Sequence, residues 1–492
     1  MFEQYLNSIG EYGTIIQLQH PLITLRGLPK AHLNEMLIFE GGQIGQVFDI
    51  DHNSIHALIY SQKPVGLQTK VVRTDLTMGI PVSTDILGKI IDPLTNVINS
   101  ISSNPNPPTP EYRNLFVEAP GINRRVPINQ QLYTGVTKVD LLIPLGKGQR
   151  ELVMGDVKTG KTMFLNRTII NQAKNHNTIV VYAAIGKKKT EIITLYETFQ
   201  KEGIMDKTCI VASTASDIAS GVYLNPYTAM TIAEFFRDQG RDVLVIFDDL
   251  TTHSQRYREI ALKSRRFPGR ESYPGDIFYT HASLLERAGF FTDGKGGSVS
   301  ITCLPVAMTT EGDITGYIST NLMSMTDGHI FFDSGIYNKG ERPAINIPLS
   351  VTRVGRQTQS SLAREINRTI LSTIAEYEKI VNIAYLGSEL SDVSKGILKR
   401  GESLMKLLDQ DMLIDMPYEL QVILFGLVWI NVLDLSGILD YTTLLPQFMK
   451  IYADKQQMNE IKTLLNAPTL REFLDALKGN QKLLSICKTA KP

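Results

Sequence analysis

Eight consecutive residues, Gly155-Asp156-Val157-Lys158-Thr159-Gly160-Lys161-Thr162, have the types and spacing that cradle a chain of phosphates. The glycines let the backbone curl so that successive N–H groups face one anion. Lys161 is placed to reach the β and γ oxygens of a nucleotide, and the Thr162 hydroxyl is a hard oxygen ligand of the kind Mg²⁺ takes. A plain Gly-rich turn before a helix shares this composition. The strand-like run Glu151 to Met154 before it and the helical pattern from Lys161 after it favour the phosphate reading, with ATP or ADP and Mg²⁺ as the expected ligands.

A metal at such a loop needs a carboxylate behind it. Asp248 ends the apolar run Val243-Leu244-Val245-Ile246-Phe247 and is the candidate for the Mg²⁺ water shell. By itself an Asp at a strand end is more often a turn or helix cap. Asp249 stands next to it, and a slip of one residue changes which carboxylate faces the metal.

The elements that must hold these groups can be read from hydrophobic period and turn residues. Up to about residue 70, short runs such as Gly13 to Leu18, Ile44 to Phe48 and Ser54 to Ile59 alternate with turn signals, the pattern of a small barrel. A Pro-rich loop, Asn104-Pro105-Asn106-Pro107-Pro108-Thr109-Pro110, interrupts regular structure. From about Arg150 apolar strands alternate with helices. Ile179 to Ala184 is a second buried strand, and Thr190 to Glu202 is a helix with Ile192, Leu195, Tyr196 and Phe199 on one face, stopped by Gly203. Asn225 and Pro226 read as the N-cap and first residue of another helix ending at Gly240. After about Gly355 strands cease. Leu362, Ile366, Ile370, Ile374, Tyr377 and Val381 mark an amphipathic helix that Gly387 ends, and further helices follow.

Bulk properties set the class. The chain has 492 residues, too many for one ordinary core, with 43% hydrophobic and 20% charged residues, as in soluble globular proteins. Lys+Arg and Asp+Glu both number 50, so net charge gives no reason to expect nucleic acid as a partner. Cys209, Cys303 and Cys487 have neither metal-ligand nor disulfide-framework spacing, which fits a reducing cytosol. No signal peptide is visible at the N-terminus, and the longest apolar stretch, Val422 to Ile430, falls short of the roughly 20 residues a membrane span needs. Membrane association is therefore expected only through partners.

Several strings resemble the alpha subunit of F-type rotary ATPases. They are Arg265 to Tyr279 (RRFPGRESYPGDIFY), His281 to Arg287 (HASLLER), Arg342 to Asn346 and Leu349 to Gly355, with Ala119 to Ile122 and Thr134 to Asp140 also similar. The resemblance runs from about Gly13 to the C-terminal helices and separates alpha from the catalytic beta subunit. It implies an α/β multidomain fold: a β-barrel over 1–70, a RecA-like P-loop domain over 71–355 and an α-helical bundle over 356–492. It also implies a ring of three alpha-type and three beta-type chains around a central, gamma-type stalk, peripheral to the inner face of the cell membrane and without nucleic acid. Arg353 corresponds to the arginine that the alpha subunit extends into the neighbouring catalytic site, and Tyr337, Arg342, Pro343 and Gln410 match positions around the adenine of the non-catalytic site.

The chain departs from the family in three places. Where the strand after the P-loop helix ends in Gly-Glu in catalytic subunits and Gly-Gln in alpha, Gly186-Lys187 stands here. An ammonium accepts no proton from the attacking water, so ATP is expected to bind and turn over poorly. The run Lys187-Lys188-Lys189 also reads as a solvated turn, and Glu191 is the nearby acid. Val157-Lys158 replaces the usual Arg-Gln of the loop. Only about a dozen residues precede the barrel, fewer than the family's stalk-binding N-terminal helix needs, which resembles the divergent F-type-like ATPases of mollicutes. The expected role is thus a regulatory ATP-binding subunit, in an energy-coupling enzyme or in a ring repurposed as another motor. A self-sufficient homo-hexameric export ATPase, a hexameric RNA translocase and a scaffold that binds no nucleotide are the competing readings.

Overall fold

The computed structural model describes residues 2–61, 63–100, 107–385, 391–433, 435 and 445–489. Two compact units partition the chain: Met1–Pro127 with Gly148–Met154 and Gln172–Asp327, and Ile128–Lys147 with Gly155–Asn171 and Gly328–Pro492.

The first unit opens with helix α1 (Phe2–Ile9) and a closed barrel of β1 (Gly13–Gln19), β2 (Leu22–Arg26), β3 (Glu35–Phe39), β4 (Ile44–Ile50), β5 (Ile55–Ile59) and β6 (Lys70–Thr77), in the order β1-β2-β5-β4-β3-β6. Side chains alternate across such strands. Leu37, Phe39 and Val71 therefore fill the barrel with Ile15, Leu25 and Ile59, while the intervening Ile38 and Val72 point outward and receive Phe2, Tyr5 and Leu6 of α1. The closing strand runs on to Thr77, past the position at which the sequence reading ends the barrel.

The same unit holds a mainly parallel sheet of β7 (Lys89–Ile91), β8 (Val97–Ser100), β9 (Glu151–Gly155), β10 (Ile179–Lys187), β11 (Thr208–Thr214), β12 (Val243–Asp248), β13 (Gly289–Thr292) and β14 (Ser298–Met308). Its order is β9-β14-β12-β10-β11-β7-β8, with β13 antiparallel on β14. β10 and β12 lie side by side with Ala184 opposite Asp248, so both end on the edge where ligands of parallel sheets bind.

The expected helix Thr190 to Glu202 is present as Lys189–Lys201, with Ile192, Leu195, Tyr196 and Phe199 buried. The helix expected to start at Asn225 instead spans Ala219–Asp238, with Pro226 inside it. Asn225 is not a cap. Its buried amide donates to the carbonyls of Ala184 and Val211 and to Ser213 Oγ, binding the helix to β10 and β11. An interior proline costs about 3 kcal/mol. Burial along nearly the whole helix outweighs it. The HASLLER segment is structural: Arg287, 1% exposed, pairs with Glu234 at 2.6 Å and donates to Thr231 and Leu115.

In the second unit helix α2 (Lys161–Asn175) follows the phosphate loop, and β15 (Gly328–Phe332) pairs antiparallel with β16 (Val351–Thr352), the last strand among the described residues. Helices α3 (Ser361–Tyr385), α4 (Asp392–Leu408) and α5 (Tyr418–Trp429) begin the helical region, which continues in four shorter helices between Leu445 and Thr489. Leu362, Ile366, Ile370 and Ile374 form the buried stripe of α3, as their spacing requires. Gly387, its expected terminator, lies outside the described residues, as do Asn104 to Asn106 of the Pro-rich loop and the side chain of Cys487. No described helix is long and apolar enough to cross a membrane.

Candidate functional site

β9 leads directly into the loop Gly155 to Gly160, after which α2 begins at Lys161. Gly155 has φ +149°, and a Cβ there would stand 2.3 Å from the Phe332 carbonyl oxygen, so no other residue fits. Thr159, 2% exposed, closes the loop by donating its hydroxyl to Asp156 O at 2.8 Å. The Lys161 ammonium is nearly buried and donates to the carbonyls of Gly155 at 2.6 Å and Asp156 at 2.5 Å. Val157, Lys158 and Thr162 are exposed, and Asp156 and Gly160 are half-buried. The amides of a first helical turn have no intrahelical partner, which leaves them for an anion. This arrangement suits a triphosphate.

Below α2 the loop is anchored. Arg167 donates to the carbonyls of Met412 and Leu413, and Asn171 donates to Asp415 at 2.9 Å. Of the residues matched to an adenine site, Arg342 lies flat on Tyr337, its guanidinium carbon 3.7 Å from the ring centre, and donates to Tyr337 O and Glu341 O. Pro343 is buried and its carbonyl accepts from Lys138 at 3.0 Å. Gln410 is buried too. Its Oε1 accepts from Thr137 N and Oγ1, its Nε2 donates to Gly135 O and Ile414 O, and its backbone N–H donates to Arg342 O. Its backbone thus holds the loop that carries Arg342, while its side chain holds the segment Gly135 to Thr137.

Arg353 follows β16, exposed, and among the described residues it makes no hydrogen bond or ion pair. Its neighbourhood is fixed: Thr352 donates to Pro144 O at 3.1 Å and accepts from Gly355 N. Burial and the Arg353 charge hold His329 below the ordinary imidazole value, although a bond to Leu349 O opposes them.

The carboxylates belong to the first unit. Asp249 is the N-cap of helix Leu250–Lys263, and its Oδ1 accepts from Thr252 N at 2.6 Å. Asp248 is left as the acid at the strand end. Lys187 meets both, with Nζ 2.7 Å from Asp248 Oδ1 and 3.6 Å from Asp249 Oδ2. The backbone aims it there. The four residues of β10 from Ala184 to Lys187 stand opposite three of β11, Ala212 to Thr214, and Gly186 within this bulge has φ +63°. Lys187 is thus not part of a solvated turn. Burial draws its ammonium down, but Asp248 and Asp249 outweigh that and hold its pKa above the ordinary lysine value. Burial also pushes the Asp249 carboxyl up. Glu191 is exposed in the first turn of the next helix.

Sequence reasoning missed Tyr182, whose hydroxyl donates to Asp248 Oδ2 at 2.6 Å. A hydroxyl in an otherwise apolar strand must find a buried partner, and that was the available signal. For Mg²⁺ the fit is divided. No described group engages the Thr162 hydroxyl, which fits. Asp248 does not, because its two oxygens already carry an ammonium and a phenol.

Residues 135–352 match the model of the ATP synthase alpha/beta family, nucleotide-binding domain, and residues 359–473 match the ATP synthase alpha/beta chain, C terminal domain. The chain belongs to this family. Relatives named ATP synthase subunit alpha place it on the alpha side. That of Neorickettsia sennetsu is 36% identical over 99% of this chain and 96% of its own, and that of Limosilactobacillus fermentum is 39% identical over 96% and 92%. A third, from Ehrlichia ruminantium, is 40% identical over 81% and 79%. The barrel, nucleotide-binding and helical regions thus form an alpha-type member's architecture, and nucleotide binding is the family's common property.

Proposed function

We propose that this chain is a non-catalytic, regulatory ATP-binding subunit of an F-type or F-type-like rotary ATPase. In this reading it alternates with beta-type catalytic chains in a ring of three and three around a gamma-type stalk. The ring reaches the membrane sector only through other subunits and lies at the inner face of the cell membrane. Arg353, exposed and unpaired among the described residues, is the group it extends to the neighbouring catalytic site. A guanidinium there offers two parallel donors to phosphoryl oxygens as charge builds on them.

One observation carries the non-catalytic assignment. Where hydrolysis needs an acceptor to orient water, the strand ends in the Lys187 ammonium, paired with Asp248 at 2.7 Å. A lysine held above its ordinary pKa accepts no proton at neutral pH. The loop Gly155 to Thr162 binds the phosphates, Lys161 exchanging its carbonyl partners for phosphoryl oxygens. Tyr337 and Arg342 supply a stacked surface for adenine, bounded by Pro343 and held by Gln410. Of the two residues expected to serve Mg²⁺, the Thr162 hydroxyl suits the ion, whereas Asp248, already paired with Lys187 and Tyr182, does not.

The test is to purify the chain alone, measure ATP binding and hydrolysis, and repeat with its co-purifying partners. Binding without brisk turnover, and turnover on addition of the partners, is expected. Brisk hydrolysis by the isolated chain overturns the assignment and favours a self-sufficient homo-hexamer.

A further inference from the structure

A cavity of about 670 Å³ lies within the second unit, and none of its described lining residues belongs to the loop Gly155 to Thr162. Its volume falls in the range of roughly 300 to 1,000 Å³ typical of small-molecule sites. The segment from Asp333 to Arg356 forms one side, with Ile336, Ile345 and Ile347 on it. Leu371, Ile374 and Ala375 of α3 form another. Lys138 lines the same space, its side chain 2% exposed. An ammonium carries three donors. Among the described residues this one makes a single hydrogen bond, to Pro343 O at 3.0 Å, and stands 3.9 Å from Glu341 Oε2, the outer limit of an ion pair. A buried charge so thinly paired is costly, and a closer anion would recover part of that cost. Burial draws its pKa below the ordinary lysine value, against the pull of Glu341 and Asp409. The other charges around the cavity differ in what they have left to offer. Asp333 is committed: Oδ1 accepts from Gly335 N and Ile336 N, and Oδ2 from Asn346 Nδ2. The side chains of Lys339, Arg356 and Glu378 make no hydrogen bond or ion pair among the described residues. Two free cations against one free carboxylate leave room for a single negative charge.

We propose that this cavity binds a small monocarboxylate with an apolar body, its carboxylate on Lys138 and its carbon chain against α3. The carboxylate gains a charge-assisted hydrogen bond from a donor already stripped of water. The chain gains in proportion to the apolar area it buries against Ile336, Ile345 and Ile374. A phosphate is a poorer fit, because its second charge would meet Glu341 and Glu378 with only exposed cations to offset them. The site is separate from the phosphate loop, so the inference does not rest on the reading of nucleotide binding.

The experiment is calorimetric titration of the full chain with octanoate, octanol, acetate and octyl phosphate. Saturable one-to-one binding of octanoate is expected. It should be about tenfold or more tighter than that of octanol, which lacks the charge, and of acetate, which lacks the chain. Lys138→Met should weaken octanoate by about tenfold or more without weakening octanol. Ala375→Phe, at an exposed position of α3 on the cavity wall, fills the space and should weaken both by about tenfold. Should Lys138→Met fail to fold, Ala375→Phe and the comparison of octanoate with octanol still decide. The inference is overturned by the lack of saturable octanoate binding, by equal affinity for octanoate and octanol, or by octanoate binding unchanged in Ala375→Phe. Tighter binding of octyl phosphate than of octanoate overturns the choice of a single charge.

Discussion

Gln421 of helix α5 donates its amide to the fully buried carboxylate of Asp140 at 2.9 Å, linking the C-terminal helices to the segment that precedes the phosphate loop. The other acceptor positions of Asp140 are taken by Thr134 N, Thr134 Oγ1 and Gly135 N. Burial raises its pKa to about 6, against the pull of these bonds. Asp140→Ala leaves buried N–H donors without an acceptor and should cost about 3 kcal/mol or more. Gln421→Leu removes one donor and should cost about 1 kcal/mol. Urea denaturation of the two variants beside wild type measures both, and a mild effect of Asp140→Ala would contradict the account.

Lys161→Ala should abolish nucleotide binding to this chain, because the buried ammonium of the loop is lost. Equilibrium dialysis of the isolated chain checks it. Turnover of the assembled ring should change only indirectly.

Arg353→Ala should show the opposite pattern. Binding of ATP by the isolated chain should be unchanged, whereas turnover of the ring should fall by on the order of 10³ or more. Near-normal turnover refutes the role given to Arg353.

Acid should weaken the first unit through a buried pair of imidazoles. His253 Nδ1 lies 3.3 Å from His281 Nε2, and no described group bonds His281 Nδ1. Burial lowers His253 to about 4 from the ordinary 6.5 and, with the His253 charge, lowers His281 well below it. Between those two values the unfolded chain binds more protons than the folded one. Stability is therefore present above about 6.5 and lost as pH falls towards 4, by about 3 kcal/mol for His253 alone. Melting temperatures across this window should fall with pH, and His253→Gln should flatten the slope.

Gly186→Ala should destabilise the first unit. The new Cβ clashes with Thr252, and the left-handed backbone is strained for any side chain. A loss of about 1 to 3 kcal/mol is expected, measured by urea denaturation beside wild type. Unchanged stability would contradict the tight approach of Gly186 to Thr252.

Much of this was legible in the sequence because it is local. The phosphate loop is one contiguous string, and the helix with Ile192, Leu195, Tyr196 and Phe199 announces itself by period. Asn225-Pro226 misled because cap signals assume a helix end in water, whereas this helix is buried and uses Asn225 to hold two strands. Asp248 could not be separated from Asp249 until the cap bond to Thr252 assigned one of them to a helix. The pairing of Lys187 with Asp248 joins residues 61 positions apart across two parallel strands, and a bulge decides it. No local pattern encodes such a meeting.

The bonds from Lys161 to two carbonyls of its own loop have a kinetic consequence. A nucleotide arriving there trades one polar environment for another, so the ammonium contributes only the difference. Departure is eased for the same reason, since the lysine has somewhere to return to. The loop then keeps its curvature through cycles of exchange.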